Sequence, residues 1–171
     1  MIDNKKYTFF WLAPSPFSQW HRAGFTVDGV HFKTAEHYMM YKKAMLFGDA
    51  LKAEEILKIE HPKDVKQKGR EISGFVKEEW ESNCKRFVYE GNYAKFTQNK
   101  AILPILMGTG DTELVEASPF DNIWGIGLKE EDAKKLPKEQ WKGTNWLGEI
   151  LTELRENLKK EKNAKSSDFN K

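Results

Sequence analysis

The stretch Phe25-Thr26-Val27-Asp28-Gly29-Val30-His31-Phe32-Lys33-Thr34-Ala35-Glu36-His37-Tyr38-Met39-Met40-Tyr41-Lys42-Lys43 passes from a hairpin signal to a helix signal. Asp28-Gly29 is a tight-turn pair between two short β-prone runs, Phe25-Val27 and Val30-Phe32. Thr34 then stands where a helix N-cap belongs. The helix it starts is predicted to run to about Phe47, where Gly48 ends it.

Working outward, Asp49 caps a second helix through about Ile59. Pro62 suits the first turn of a third, which Gly69 ends or loosens. A longer helix is predicted from about Lys77 to Tyr89, with a break at Gly91-Asn92. Another helical stretch follows to Met107, with a break or kink near Asn99 to Leu103 because Pro104 cannot donate its backbone nitrogen. Upstream, Tyr7 to Phe32 reads as short extended pieces and turns. Downstream, Glu113-Leu114-Val115-Glu116-Ala117 alternates like a strand, and Ser118 to Leu128 is a glycine-bearing loop. Asn145 to Lys162 forms the last helix, with Leu147, Ile150, Leu151, Leu154 and Leu158 on one face.

The fold class predicted is mainly α: a single domain, residues 1–162, of about six to eight helices with a small β hairpin or sheet element. Residues 163–171 read as a polar, disordered tail. Strands do not alternate with helices, which argues against a parallel α/β sheet. No internal repeat is visible.

The 171 residues suit one compact core. Cys84 is the only cysteine, so no disulfide framework exists, and a reducing cytoplasmic setting is expected. The apolar run Phe9-Phe10-Trp11-Leu12-Ala13 stops at Pro14, too short for a leader or a membrane span. The net charge of +2 excludes a global field that demands nucleic acid. Lysine-rich segments at Lys58 to Lys68 and Lys159 to Lys165 read first as a solvated helix face and a frayed tail, and second as phosphate-facing surface. Six tryptophans are many for this length. Most belong in the core, while one or two can stack on a planar ligand.

Three groups can carry chemistry. Glu36 and Lys43 lie seven positions apart, near-eclipsed on one helix face and about 10 Å apart along the axis. A carboxylate and an amine across that gap suit catalysis, and they also make an ordinary surface pattern. The loop Ser118-Pro119-Phe120-Asp121-Asn122-Ile123-Trp124-Gly125-Ile126-Gly127 places a carboxylate, a tryptophan and two glycines after a strand. It reads either as a tight turn capped by Asp121 with Trp124 in the core, or as a binding loop. Lys142-Gly143-Thr144-Asn145 opens the last helix, through plain capping or as an anion site. His37 beside Glu36 is a cap or core histidine, or a base. Histidines 21, 31, 37 and 61 lack metal spacing, so no metal and no cofactor are expected. A nucleophile elbow, a phosphate loop and a dinucleotide fingerprint are absent.

Several blocks, taken together, resemble one family. They are Phe17-Ser18, Thr34-Ala35-Glu36-His37-Tyr38 with Lys43, Gly69-Arg70, Trp80, Leu114-Val115-Glu116, Asp121-x-x-Trp124-Gly125-x-Gly127, and Asn145-x-Leu147-Gly148 followed by Leu154-Arg155. Their order is similar to the NADAR superfamily, also called YbiA-like, from about Phe10 to Leu158. The resemblance implies a YbiA-like fold and N-glycosidase activity. Its implied substrate is a small nucleotide-like molecule, a phosphoribosylamino-pyrimidine or an ADP-ribosyl-guanosine, with ADP-ribosylated nucleic acid as a further partner and no membrane. A non-catalytic NAD or ADP-ribose sensor is the competing expectation.

By resemblance, Glu36, Lys43 and Asp121 are catalytic. Trp80, Trp124, Gly125, Gly127, Asn145, Arg70, Ser18 and His37 bind substrate. Glu36 would move a proton, Lys43 would be a nucleophile if its amine is neutral, and Asp121 would hold a ribose hydroxyl or stabilise charge. A cationic neighbour such as Lys42, or desolvation, would lower the Lys43 pKa, and Glu36 would oppose this. Two features depart from the family pattern: Met39-Met40-Tyr41 between Glu36 and Lys43, and the acidic run Glu130-Glu131-Asp132 between Gly127 and Asn145. Both are expected to touch the pocket rim and hence substrate choice.

Overall fold

The computed structural model describes residues 6–170. Residues 1–5 of the expected domain and Lys171 of the expected tail lie outside the described residues. In chain order the elements are β1 (Tyr7–Phe10), β2 (Phe25–Val27), β3 (Val30–Phe32), α1 (Ala35–Leu46), α2 (Ala50–Lys58), α3 (Pro62–Gly69), α4 (Lys77–Gln98), α5 (Leu103–Met107), β4 (Glu113–Glu116), α6 (Glu130–Ala133), a 3-10 turn (Lys138–Gln140) and α7 (Trp146–Asp168). The fold is mainly α, with seven α-helices and two two-stranded sheets among the described residues. None of these helices is long and apolar enough to cross a membrane. The chain gathers into two compact units, one of Leu12–Ile102 and one of the stretch up to Trp11 with Leu103 onward.

In the Leu12–Ile102 unit the hairpin forms as its turn dictates. Asp28 and Gly29 both take positive φ, the backbone a two-residue antiparallel turn needs, and Phe25 faces Phe32 across the pair. The Thr34 side chain accepts the His37 N–H and starts α1. Asp49 caps α2 in the same way, and Pro62 sits in the first turn of α3. Helix α1 is the hub, packed on α2, α3 and α4. Its Tyr38 joins Phe25, Phe32 and Phe87 in one buried aromatic cluster.

Helix α4 corrects the sequence reading. It passes straight through Gly91-Asn92, where a break was predicted. A Cβ on Gly91 would lie 2.6 Å from the Tyr38 ring, so the glycine is spent on close packing rather than on ending the helix. Asn92 donates to the Val88 carbonyl one turn back, which keeps its side chain compatible with helix. The break comes at Asn99, whose extended backbone ends α4 within the window expected, and Pro104 falls in the first turn of α5.

In the second unit β1 pairs with β4 in parallel, Tyr7 opposite Glu113. This is a two-stranded ribbon and not an alternating α/β sheet. Helix α7 completes the other edge of β4 with side chains. The Leu114 N–H donates to Thr152 Oγ1 at 3.0 Å, and the Glu116 N–H donates to Asn145 Oδ1 at 3.0 Å. Gly148 permits this approach, since a Cβ there would overlap the Leu114 carbonyl. In the segment between Gly127 and Asn145 the acidic residues Glu130, Glu131 and Asp132 are exposed, while Trp141 packs on the strands. Trp141 meets Tyr7 and Phe9 edge-on at 5.2 and 5.9 Å between ring centroids. Helix α7 continues to Asp168, so residues 163–168 of the tail predicted to be disordered are helical. Only Ala164 and Lys165 there favour helix strongly, and the segment prolongs a helix already anchored by Leu151, Leu154 and Leu158.

Candidate active site

The Leu12–Ile102 unit brings Glu36, Lys43, Arg70 and Trp80 together. Glu36 sits in the first turn of α1 and is buried, at 4% exposure. Its backbone N–H donates to the Gln19 carbonyl at 3.0 Å. Two turns on, the half-buried Lys43 amine donates to the Gly69 carbonyl at 2.9 Å. That amine lies 4.8 Å from the Phe75 ring centroid and 5.5 Å from that of Trp80. Trp80 itself is partly buried against the aromatic cluster.

Burial holds the Lys43 pKa below the ordinary lysine value; the nearby Glu36 carboxylate pulls it back up, and the Arg70 guanidinium pushes it down. Desolvation wins. The cation that assists is therefore Arg70 and not the sequence neighbour Lys42, whose amine stands over the Phe87 ring at 5.2 Å. Arg70 is exposed and donates to Gln67 Oε1. A depressed amine beside a buried carboxylate, with aromatic faces above it, can switch between ammonium and nucleophile.

Ser18 is buried in the turn before Gln19, and its hydroxyl accepts the Trp20 N–H at 3.1 Å. His37 is fully buried with both ring nitrogens engaged. Nε2 meets the Ile59 carbonyl at 2.8 Å and Nδ1 meets the Thr34 hydroxyl at 2.7 Å. Since a carbonyl only accepts, Nε2 carries the proton, and Nδ1 accepts from Thr34. Burial lowers the His37 pKa, in keeping with this neutral form. The ring ties the start of α1 to the end of α2.

The second unit carries the remaining predicted residues. Asp121 Oδ1 accepts the N–H groups of Ile123 and Trp124 at 2.9 and 2.8 Å. This fixes the loop as a side-chain-capped turn. Trp124 packs edge-on against Trp146, 5.6 Å between centroids. Gly125 lies where a Cβ would be 2.9 Å from the Glu116 carbonyl, and Gly127 takes a φ of +68°. Asn145 does not cap α7 through its side chain. It is spent on β4, donating to the Leu114 carbonyl as well as accepting from Glu116. The N–H groups of Trp146 and Leu147 at the helix start donate to the Ile123 and Trp124 carbonyls. The alternative reading of this helix start as an anion site therefore lacks those two donors.

Among the described residues no cluster of histidine, cysteine, aspartate or glutamate is placed to hold a metal ion. Sequence reasoning missed Phe75, whose position before α4 follows no apolar period. It also missed Lys95, a fully buried lysine on α4.

The NADAR domain family model matches residues 9–159. The chain belongs to the NADAR domain family. It is 37% identical over 166 residues to the N-glycosidase R617 of Acanthamoeba polyphaga mimivirus, covering 91% of this chain and 98% of that one. It is 38% identical over 171 residues to the protein irg-1 of Caenorhabditis elegans, covering 90% and 80% of the two chains. The solution structure of YbiA from Escherichia coli superposes with a TM-score of 0.76 at 30% identity, covering 94% of this chain and 89% of that one. The fold is thus YbiA-like. The Escherichia coli protein is an N-glycosidase by name. Kinship of this breadth places the NADAR chain described here among hydrolases acting on N-glycosyl bonds.

Proposed function

We propose that this NADAR protein hydrolyses the ribose C1–N bond of a phosphoribosylamino- or ADP-ribosyl-type N-glycoside, with Glu36 and Lys43 at the reacting carbon. The observation that carries the reading is the Lys43 amine, held below its ordinary pKa by burial within reach of the Glu36 charge. Breaking a C1–N bond needs a proton for the departing nitrogen and electron density for the ribose carbon. Glu36 is the proton-transfer group. Lys43 is the nucleophile: its neutral amine adds to C1 of the opened sugar, the base leaves as the free amine, and water then releases the sugar and restores the lysine.

Trp80 and Trp124 offer aromatic faces for base or sugar. Asp121 spends one oxygen on its turn, and a carboxylate retains acceptor capacity for a ribose hydroxyl. Arg70 offers charge to a phosphate. Gly125, Gly127, Asn145, Ser18 and His37 shape the backbone of the substrate-binding surface in this reading. The single cysteine, Cys84, is buried and suits a reducing cytoplasm.

A side-by-side assay tests the reading. Purified protein is given a phosphoribosylamino-pyrimidine and an ADP-ribosylated guanosine, free and within an oligonucleotide. Release of sugar phosphate from the first makes the protein a damage-control hydrolase. Release of ADP-ribose from the second makes it a guanine de-modifying hydrolase. Tight ADP-ribose binding by calorimetry with no release from any substrate overturns catalysis in favour of a sensor.

A further inference from the structure

Helix α4 places two polar side chains in the interior one turn apart. Asn92 and Lys95 are each 0% exposed. Burying an amide and an amine is costly unless each is well partnered. Beyond the bond from Asn92 to the Val88 carbonyl within α4, the partners belong to one turn. Lys95 Nζ donates to the Ser18 carbonyl at 2.9 Å, and Asn92 Nδ2 donates to Gln19 Oε1 at 2.8 Å. The same turn, through the Gln19 carbonyl, accepts the N–H of Glu36. The clamp is also incomplete: Gln19 Nε2 and Asn92 Oδ1 are buried without a hydrogen-bond partner.

Stability alone does not explain this arrangement. Burial pulls Lys95 down to about 7, so the fold carries a charge it does not hold well. A methionine would fill the same space with no polar atom to bury. What the two side chains do accomplish is geometric. They fix, from α4, the turn whose Gln19 carbonyl accepts the Glu36 N–H, in a region where a misplacement of about 1 Å can cost on the order of 10²-fold in rate.

We infer that Asn92 and Lys95 are positioning residues for Glu36, acting through the Ser18–Gln19 turn; this rests on Glu36 being the proton-transfer group. They touch neither substrate nor the reacting atoms.

The test is a double-mutant cycle on whichever N-glycoside is turned over. Lys95→Met and Asn92→Leu each lower kcat by about 10-fold or more, with KM within about 2-fold of native and the thermal transition retained. In a Glu36→Gln background the same substitutions cause no further loss, because the path they act through is already gone. Native kcat in Lys95→Met and Asn92→Leu, beside an inactive Glu36→Gln, defeats the relay alone. An equal further loss in the Glu36→Gln background assigns the pair a separate role and also overturns it. Unfolding of both single variants at assay temperature overturns it too, since the pair then serves the fold. Undiminished turnover in Glu36→Gln defeats the reading of Glu36 itself, and the relay falls with it.

Discussion

Lys43 reaches the carbonyl of Gly69 at 2.9 Å because Gly69 has no side chain to hold α3 away from α1. A Cβ at position 69 would overlap the Met40 sulfur, and Met40 is buried with 6% exposure. Gly69→Ala must therefore displace Met40 or part the two helices. Overpacking of this kind costs about 1–3 kcal/mol. Chemical denaturation should show that loss, and turnover should fall with it as the Lys43 amine loses its acceptor. A variant of native stability and native activity would show that the close approach is incidental.

Glu36 carries the second expectation. Glu36→Gln keeps shape and backbone contacts while removing the proton-transfer group. The N–H bond to the Gln19 carbonyl survives the change. Turnover should drop by at least about 10²-fold with an unchanged circular dichroism spectrum, the scale of acid–base loss. Full activity in this variant would remove Glu36 from the chemistry.

The third expectation concerns pH. Only the neutral Lys43 amine can attack, so single-turnover rate should rise with pH through the Lys43 pKa, which burial holds below the ordinary lysine value. Arg70 lowers that pKa by disfavouring a second positive charge. Arg70→Leu should therefore raise it and move the rising limb to higher pH. Borohydride added during turnover should fix the sugar to Lys43, detected as a mass shift on the peptide containing it. A limb that stays in place in Arg70→Leu, with no adduct at any pH, would favour direct attack by water.

How much was legible in the sequence follows from range. The hairpin at Asp28-Gly29 and the cap at Thr34 are local chemistry, and both formed as read. The break at Gly91 was misread because the reason for that glycine is the Tyr38 ring, 53 positions away in sequence and invisible to a helix period. The pairing of Tyr7 with Glu113 is likewise non-local. Spacing places Glu36 and Lys43 on one face of α1, whereas Phe75 reaches the Lys43 amine from an irregular segment before α4. Lys95 reads from its type as solvent-facing, and only the packing of α4 reveals it as buried.

His37 should make stability fall in acid. Its folded pKa is lowered by burial from the ordinary histidine value of about 6.5, so the unfolded chain binds the proton more readily. Stability from this group is present above about pH 6.5 and is lost as pH falls toward the folded pKa. The unfolding midpoint should decline through that window. His37→Leu cannot titrate, so its decline should be shallower, although it starts lower for want of the bonds to Ile59 and Thr34. Parallel slopes for the two proteins would place the acid sensitivity elsewhere.

Asn145 holds β4 and the glycine loop at once. It accepts from the Glu116 N–H, donates to the Leu114 carbonyl, and its own N–H donates to the Gly125 carbonyl. It does so from a left-handed backbone at φ 54°, which asparagine tolerates better than most residues. Asn145→Ala strips the side-chain bonds from two strand groups and adds backbone strain, at a cost of about 2–4 kcal/mol. Asn145→Gly removes the strain and keeps the loss of bonds, so it should be the more stable of the two. Denaturant midpoints for the pair separate these contributions. If alanine and glycine prove equal, the left-handed conformation contributes nothing, and the whole cost lies in the two orphaned groups on β4.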